Sequence, residues 1–210
     1  MTHFQEIAKE IKNISDKTPL KERKRLYRDM SQEILQHHSE INKFVLWLLD
    51  SDLIDDGFYM QSVDNHVRVK EETGPGGILK HSCRVLKLGM LYSNLYNLTF
   101  QEVGVVLAGA ILHDIFKYWN EEQNLWLTQE ANKCHAKIAA KKIEEYLLNN
   151  NNIHSPYNGI TGFSKELIDV IKVHTNRFEP HDPISIQALS PVQQVFIIAD
   201  YSAATLPIDL

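Results

Sequence analysis

Cysteine is scarce in this chain, with two residues in 210, and no apolar run is long enough to cross a membrane. A disulfide scaffold and a membrane-spanning helix are therefore not expected. A secretory signal pattern is also missing, which favours a reducing, cytoplasmic setting in which Cys83 and Cys134 remain thiols. Both cysteines are interpreted as small apolar side chains rather than metal ligands.

Positive charge is not in excess either. Lysine and arginine total 22 against 27 aspartates and glutamates, so the formal net charge is −5. Such a chain has no global positive field for a long nucleic acid, and a small charged ligand in a local pocket fits better. The basic residues within 21–28, KERKRLYR, could contact RNA or an acidic partner, although a solvated helix face is the simpler interpretation.

Strand signals are few, and helical periodicity dominates the chain. Apolar residues recur at helical spacing in residues 4–14 and again in residues 18–54, which we interpret as one long helix or as two helices joined near His37. Five further helices are predicted at about 78–96, 100–117, 129–149, 164–175 and 190–205.

One β-hairpin is predicted near residues 58–70, where Asp64 and Asn65 suit a tight turn. With so few strand signals elsewhere, we predict an all-α, mostly helical bundle. Residues 1–76 would form an N-terminal helical extension that includes the hairpin, and residues 77–210 would form the core domain.

Six polar residues interrupt the apolar faces of the predicted helices. A single inward histidine is usually a hydrogen-bonded core residue, but buried carboxylates without partners would cost several kcal/mol each. A divalent metal resolves this cost, and imidazole with carboxylate suits iron, manganese, cobalt, nickel or zinc better than calcium. The six residues are His81, His113, Asp114, His135, His174 and Asp200.

The adjacent pair His113-Asp114 stands in LAGAILHDIFKY. Neighbouring side chains on a helix point about 100° apart. The pair can therefore share one ion only near a helix end, or with Asp114 reaching sideways, where it could also bridge two ions. A bridging carboxylate would explain the additional histidines.

Five motifs occur in the order found in one known family: GGILKHS, AGAILHDIFKY, CHAKIAA, VIKVHT and IIADYSA. Over residues 77–203 the chain resembles the HD superfamily of metal-dependent phosphohydrolases. The resemblance implies an HD-domain helical bundle in which His81, His113, Asp114 and Asp200 bind metal.

Members with additional histidines between the two aspartates, as His135 and His174 lie here, form a binuclear subset. The resemblance thus implies two divalent transition-metal ions, with Asp114 between them; iron or manganese is favoured, and nickel, cobalt, zinc or magnesium would also fit. A cyclic-dinucleotide substrate is disfavoured, because the Gly-Tyr-Pro signature of those enzymes is absent. HDIFKY, VIKVHT and IIADY look like dinucleoside-polyphosphate hydrolases, whereas GGILKHS is similar to HD-type 3′–5′ exoribonucleases.

Three basic residues are candidates for binding phosphate. Lys117 follows His113 by one turn and is expected to act on a phosphoryl oxygen or the leaving group, the alternative being a solvated lysine at a helix end. Arg84 and Arg177 follow His81 and His174 by three residues and are candidate phosphate clamps. The remaining histidines are interpreted as surface residues: His3, His37, His38, His66, His154 and His181.

We therefore expect an enzyme that hydrolyses a phosphoester or phosphoanhydride bond of a nucleotide or short oligonucleotide with metal-activated water. Asp114 and Lys117 would be its catalytic residues. The alternative is a catalytically weak, nucleotide-binding sensor or scaffold protein, to which residues 1–76 would contribute the interaction. A complete ligand set favours the enzyme, because a binding protein does not need one.

Overall fold

The computed structural model of the chain describes residues 3–61, 72–117, 129–149, 162–175 and 185–206. Within these ranges the chain forms nine α-helices and no β-strand, which confirms the all-α prediction. The helices are α1 His3–Lys12, α2 Leu20–Leu35, α3 Ser39–Leu49, α4 Asp56–Met60, α5 Gly77–Leu95, α6 Phe100–Leu112, α7 Gln129–Asn149, α8 Phe163–Val173 and α9 Pro191–Thr205.

Residues 18–54 form two helices rather than one. The chain leaves α2 after Leu35, and His38 takes a non-helical conformation at the start of α3. The five later helices lie where the periodicity predicts them, except that α6 ends at Leu112 and not near residue 117. The buried Tyr27 hydroxyl donates to the carbonyl of Ile111 at 2.6 Å, so this helix end has a partner from α2.

The hairpin prediction is wrong for its first residues, because Phe58, Tyr59 and Met60 belong to α4. The side chain of Asp55 accepts a hydrogen bond from Gly57 N at 2.6 Å and so caps this short helix. Residues 62–70 of the predicted hairpin lie outside the described residues.

Sequence-local caps set the starts of two helices that carry the site. Thr99 and Glu102 form a reciprocal capping box at α6, and Ser190 and Gln193 form another at α9, with Pro191 in the first turn. These caps satisfy amide groups that would otherwise lack partners at the helix starts. Both helices are therefore well delimited at their N-terminal ends.

Helix α5 packs along α6 and α9, while α6 also contacts α8, and α7 packs on α8. The N-terminal helices pack on the same group, α1 on α2 and α5, and α3 on α6. One apolar cluster runs from Phe4 to Ala203, so residues on both sides of position 76 share it. A separate N-terminal extension remains a prediction.

Gly109 lets three helices meet close to the polar residues. A Cβ at this position would lie 3.1 Å from Val170 Cγ1 on α8 and 3.2 Å from Phe196 Cε2 on α9. Both separations are tighter than ordinary carbon–carbon contacts, so a larger residue would push the helices apart. The glycine thus brings α6, α8 and α9 together one turn before His113.

The basic cluster KERKRLYR is mostly paired with acidic side chains. Lys24 contacts Asp56, Arg25 contacts Glu22 and Asp29, and Arg28 lies 3.0 Å from Asp50. Arg23 is buried and donates instead to backbone carbonyls. These contacts favour the interpretation of the cluster as a solvated helix face.

Candidate metal centre

The six predicted polar residues converge from five helices on one buried site. His81 is on α5, His135 on α7 and Asp200 on α9, while His113 and His174 are the residues that end α6 and α8. Asp114 follows His113 directly. Five of the six are buried, and the side chain of Asp200 is 14% exposed.

The first group of candidate ligands contains His81, His113, Asp114 and Asp200. His81 Nε2 lies 2.8 Å from Asp200 Oδ1. His113 Nε2 lies 3.5 Å from Asp114 Oδ2 and 3.8 Å from Asp200 Oδ1. Ligand atoms of His81, His113 and Asp114 all fall within 4.8 Å of one another, a spacing that one ion could span.

The second group contains Asp114, His135 and His174. His135 Nε2 is 2.9 Å from Asp114 Oδ1, and His174 Nε2 is 2.8 Å from His135 Nε2 and 3.6 Å from Asp114 Oδ1. These three ligand atoms also lie within 4.8 Å of one another. Asp114 therefore belongs to both groups and presents a different oxygen to each.

Two histidines are oriented by backbone carbonyls. His113 Nδ1 lies 3.1 Å from Ala110 O, and His174 Nδ1 lies 2.7 Å from Ile171 O. A carbonyl oxygen can only accept, so each Nδ1 must carry a proton, and the Nε2 of the neutral His113 ring then has a lone pair. Each carbonyl belongs to the last turn of its helix, and that of Ile171 also accepts from His174 N at 3.4 Å.

Two atoms at the centre are buried acceptors without a hydrogen bond. His113 Nε2 has none, and Asp114 Oδ1, despite its 2.9 Å distance from His135, makes none of acceptable geometry. Each buried unsatisfied acceptor costs about 1–3 kcal/mol. A divalent cation would satisfy both atoms, so the residues present fit a metal ion.

The site holds neutral imidazoles beside ionised carboxylates. Burial lowers the pKa of His113 to about 3 and that of His135 to about 4. Burial alone would raise the pKa of Asp114, but the neighbouring His113 and Lys117 hold that pKa well below its usual range. The pKa of Asp200 is lowered against the effect of burial, chiefly by its hydrogen bond with His81. These are the protonation states that metal ligands require.

A model of the HD domain family matches residues 78–205. The chain belongs to the HD domain family. HD domains bind divalent metals, and the family consists generally of hydrolases, so membership suggests a metal-dependent phosphohydrolase. The match contains all six clustered residues. Comparisons with curated proteins and with solved structures gave no match.

Two of the three basic candidates, Lys117 and Arg84, lie among the described residues, and they differ in their placement around the HD site. Lys117 Nζ lies 3.2 Å from Asp114 Oδ2, and its side chain is 15% exposed at the edge of the site. Arg84 is buried, with Nη1 3.4 Å from Leu206 O and Nε 3.8 Å from Glu72 Oε1. These contacts favour an internal role for Arg84 over a phosphate contact. Arg177 lies outside the described residues.

Two residues near the HD core differ from the sequence-based interpretation. Glu72 is fully buried and lies 3.3 Å from His81 Nδ1, but it stands in EETGPGG, where no periodicity marks it. His38, interpreted as a surface residue, is largely buried and stacks on Phe100 with ring centroids 4.1 Å apart. The absence of a side chain at Gly104 makes room for His38, since a Cβ there would lie 2.7 Å from its Nδ1.

No helix among the described residues combines the length and apolar character that crossing a bilayer requires. Of the other histidines interpreted as surface residues, His3 and His37 are exposed. The rest, His66, His154 and His181, lie outside the described ranges.

Proposed function

We propose that the protein is a metal-dependent phosphohydrolase that hydrolyses a phosphoester or phosphoanhydride bond of a nucleotide or short oligonucleotide. The observation that carries this proposal is the pair of three-residue groups that share Asp114 in a buried site. Neutral imidazole lone pairs and ionised carboxylate oxygens face one another there with too few protons to satisfy them.

The two groups would hold two divalent transition-metal ions, with Asp114 as the bridging ligand. His81, His113 and Asp200 would complete the first ligand set, and His135 and His174 the second. Mixed imidazole and carboxylate ligands suit iron or manganese. When bound, the ions would supply charge stabilisation at a phosphoryl oxygen and lower the pKa of water so that it can attack near neutral pH.

Lys117 is the residue of this chain best placed to meet the substrate. Its ammonium group lies at the partly exposed edge and contacts the shared carboxylate at 3.2 Å. From this position it can donate to a non-bridging oxygen or to the leaving oxygen of a phosphate. The contact with Asp114 holds the ammonium group at this edge of the site, where it can stabilise charge on a phosphate.

The interior of the site is shielded from water. The Phe196 ring lies 5.6 Å from the His113 ring and 6.3 Å from the His174 ring, measured between centroids, and is buried. An apolar wall of this kind lowers the local dielectric constant and strengthens interactions between charges. The net charge of −5 adds no attraction for a long polyanion, which favours a small substrate.

Metal analysis and turnover assays test the proposal together. Protein purified without chelator should contain two transition-metal ions per chain by elemental analysis. With added manganese or iron(II), it should hydrolyse bis(4-nitrophenyl) phosphate and at least one member of a panel of diadenosine polyphosphates and short RNA oligonucleotides. Nucleotide binding without turnover would support the sensor or scaffold alternative, and a single ion would contradict the binuclear assignment.

A further inference from the structure

Glu72 heads a chain of buried polar contacts that ends at the candidate metal site. Its Oε1 atom lies 3.3 Å from His81 Nδ1 and 3.8 Å from Arg84 Nε. Arg84 in turn donates to the carbonyl of Leu206 at 3.4 Å. On the opposite side of the ring, His81 Nε2 faces Asp200 Oδ1 at 2.8 Å. The carboxylate and His81 are both completely buried, so their contact is shielded from water.

We propose that Glu72 is the positioning residue for His81 and that Arg84 anchors Glu72. Glu72 accepts a hydrogen bond from Nδ1 of His81, which fixes the ring so that its Nε2 is turned toward Asp200 and the ion. This inference rests on the proposed metal centre and adds an outer partner to it. Carboxylates that hold metal-bound histidines in this way orient the ring and make it a stronger ligand.

The position of His81 within its helix explains why a side chain, and not a backbone carbonyl, accepts the hydrogen bond from its Nδ1. His113 and His174 end their helices, where nearby carbonyls are available to accept from Nδ1. His81 is the fifth residue of α5, a helix of 19 residues, and the carbonyls around it are used by the helix's own hydrogen bonds. The acceptor for its Nδ1 proton must therefore come from elsewhere, and Glu72 supplies it.

The His81 ring oriented in this way also makes a hydrogen bond with Asp200, with 2.8 Å between Nε2 and Oδ1. A cation held by both atoms would take the place of the proton between them. Arg84 contributes a positive charge on the far side of Glu72, where it offsets the cost of burying the carboxylate. The contacts thus run from the positive Arg84 through the negative Glu72 to His81 and the ion.

Two substitutions of Glu72 distinguish a role in positioning His81 from a buried ion pair that has no role at the metal. Glu72→Gln keeps an oxygen that can accept from His81 but loses the charge, whereas Glu72→Met keeps similar volume and loses the acceptor. If Glu72 positions His81, metal affinity should decrease from the wild type to Glu72→Gln and further to Glu72→Met. A buried ion pair with no role at the metal would lower stability in both variants and leave metal affinity unchanged.

The experiment is a titration of the metal-stripped full chain with Co²⁺, monitored by the visible absorption of the bound ion. Glu72→Met should weaken one binding step by about 10–100-fold, the usual effect of losing an outer partner, and Glu72→Gln should weaken it less. The step assigned to Asp114, His135 and His174 serves as an internal reference and should be unchanged. Glu40→Gln, which removes a charge from a side chain that is 69% exposed, is the matched control.

Far-UV circular dichroism of the metal-free variants checks folding, and if Glu72→Met does not fold, Glu72→Gln alone decides. A wild-type chain that binds no Co²⁺ overturns the proposed metal centre and this inference with it. A wild-type chain that binds Co²⁺ with the same affinities as the folded Glu72 variants overturns only the role of Glu72. Equal weakening of both steps in the two variants would also overturn it, because it would indicate a general structural defect.

Discussion

Two buried polar clusters occupy different parts of this molecule, and their hydrogen bonding differs. Around Arg23 on α2, the guanidinium donates to Thr18 O at 3.0 Å, Ser15 O at 2.9 Å and Tyr59 O at 3.3 Å. Around Asp114, by contrast, acceptor atoms of carboxylates and histidines face one another, and His113 Nε2 has no hydrogen bond. One cluster is complete within the protein, and the other leaves buried acceptors that a cation could satisfy.

Burial of charge therefore does not by itself indicate function. Arg23 ties the loop before α2 to the end of α4, and each of these contacts joins a donor to an acceptor, as in an ordinary structural interaction. The Asp114 cluster has the opposite balance, with more lone pairs than protons, which is costly unless an ion is bound. Four predictions test this difference, from the largest expected effect to the smallest.

Asp114→Ala should abolish function, because the substitution removes a ligand from both groups. We expect loss of bound metal and of most of the rate enhancement, which is about 10⁶-fold or more for typical enzymes. Elemental analysis and turnover of bis(4-nitrophenyl) phosphate measure the two effects. Asp16→Ala, at an exposed position before α2, is the control and should retain both properties. Unchanged metal content in Asp114→Ala would show that the Asp114 cluster is not the metal site and would remove the distinction between the two clusters.

Lys117→Ala should lower kcat by about 10²–10³-fold while metal content stays near that of the parent, since the lysine is assigned to the phosphate and not to the ion. Steady-state kinetics with parallel metal analysis provide the measurement. Lys141→Ala, at a side chain that is 73% exposed on α7, should have no effect. Equal rates would show that Lys117 does not act on substrate, and loss of metal together with activity would assign it to holding Asp114.

Arg23→Met should lower the free energy of unfolding by about 1–3 kcal/mol, because buried carbonyls lose their donor. Chemical denaturation of the metal-free protein measures this change, and Co²⁺ titration should show unaltered affinity. Arg25→Met removes an arginine from the same helix, but its acidic partners are exposed, so a much smaller change is expected. A change of metal affinity in Arg23→Met would mean that the two clusters are coupled.

His38 is a buried histidine outside both clusters, and its titration should contribute to the pH dependence of stability. Burial lowers the pKa of His38 from 6.5, so below pH 6.5 the unfolded chain binds more protons than the native state. Stability should therefore fall as the pH decreases through this region, by at most about 1.4 kcal/mol per pH unit for this residue.

His38→Gln should make the stability of the metal-free protein less steeply dependent on pH between about pH 5 and 7.5. Denaturation curves of parent and variant at several pH values give the difference in slope. Identical slopes would show that His38 does not titrate differently in the native state.

Most of the fold follows from local signals in the sequence. Helical periodicity locates α5 to α9, since it depends on residues a few positions apart. The end of α6 does not follow, because it coincides with a hydrogen bond from Tyr27, 84 residues away. The short helix α4 was missed for a different reason: Asp55 caps a stretch whose composition favours strands.

The candidate site likewise contains residues that the sequence predicts and contacts that only the structure shows. Its six residues could be found because each interrupts an apolar face, and the structure brings them together, although their role as ligands remains a prediction. Glu72 interrupts no pattern, and only the folded chain shows its distance from His81. Arg84 has the spacing of a site residue, yet its guanidinium contacts Glu72 and Leu206 instead of the predicted phosphate position.

The contact between His81 and Asp200 also has a consequence for synthesis. The two residues are separated by 119 positions, and ribosomes add about 5–20 residues per second, so His81 is made about 6–24 s before its partner exists. During that interval a nascent chain can form α5 but not the first ligand group. The same helix, α9, that supplies Asp200 also packs along α5 and closes its apolar face. Metal uptake at this group should thus be a late event that accompanies the completion of the core.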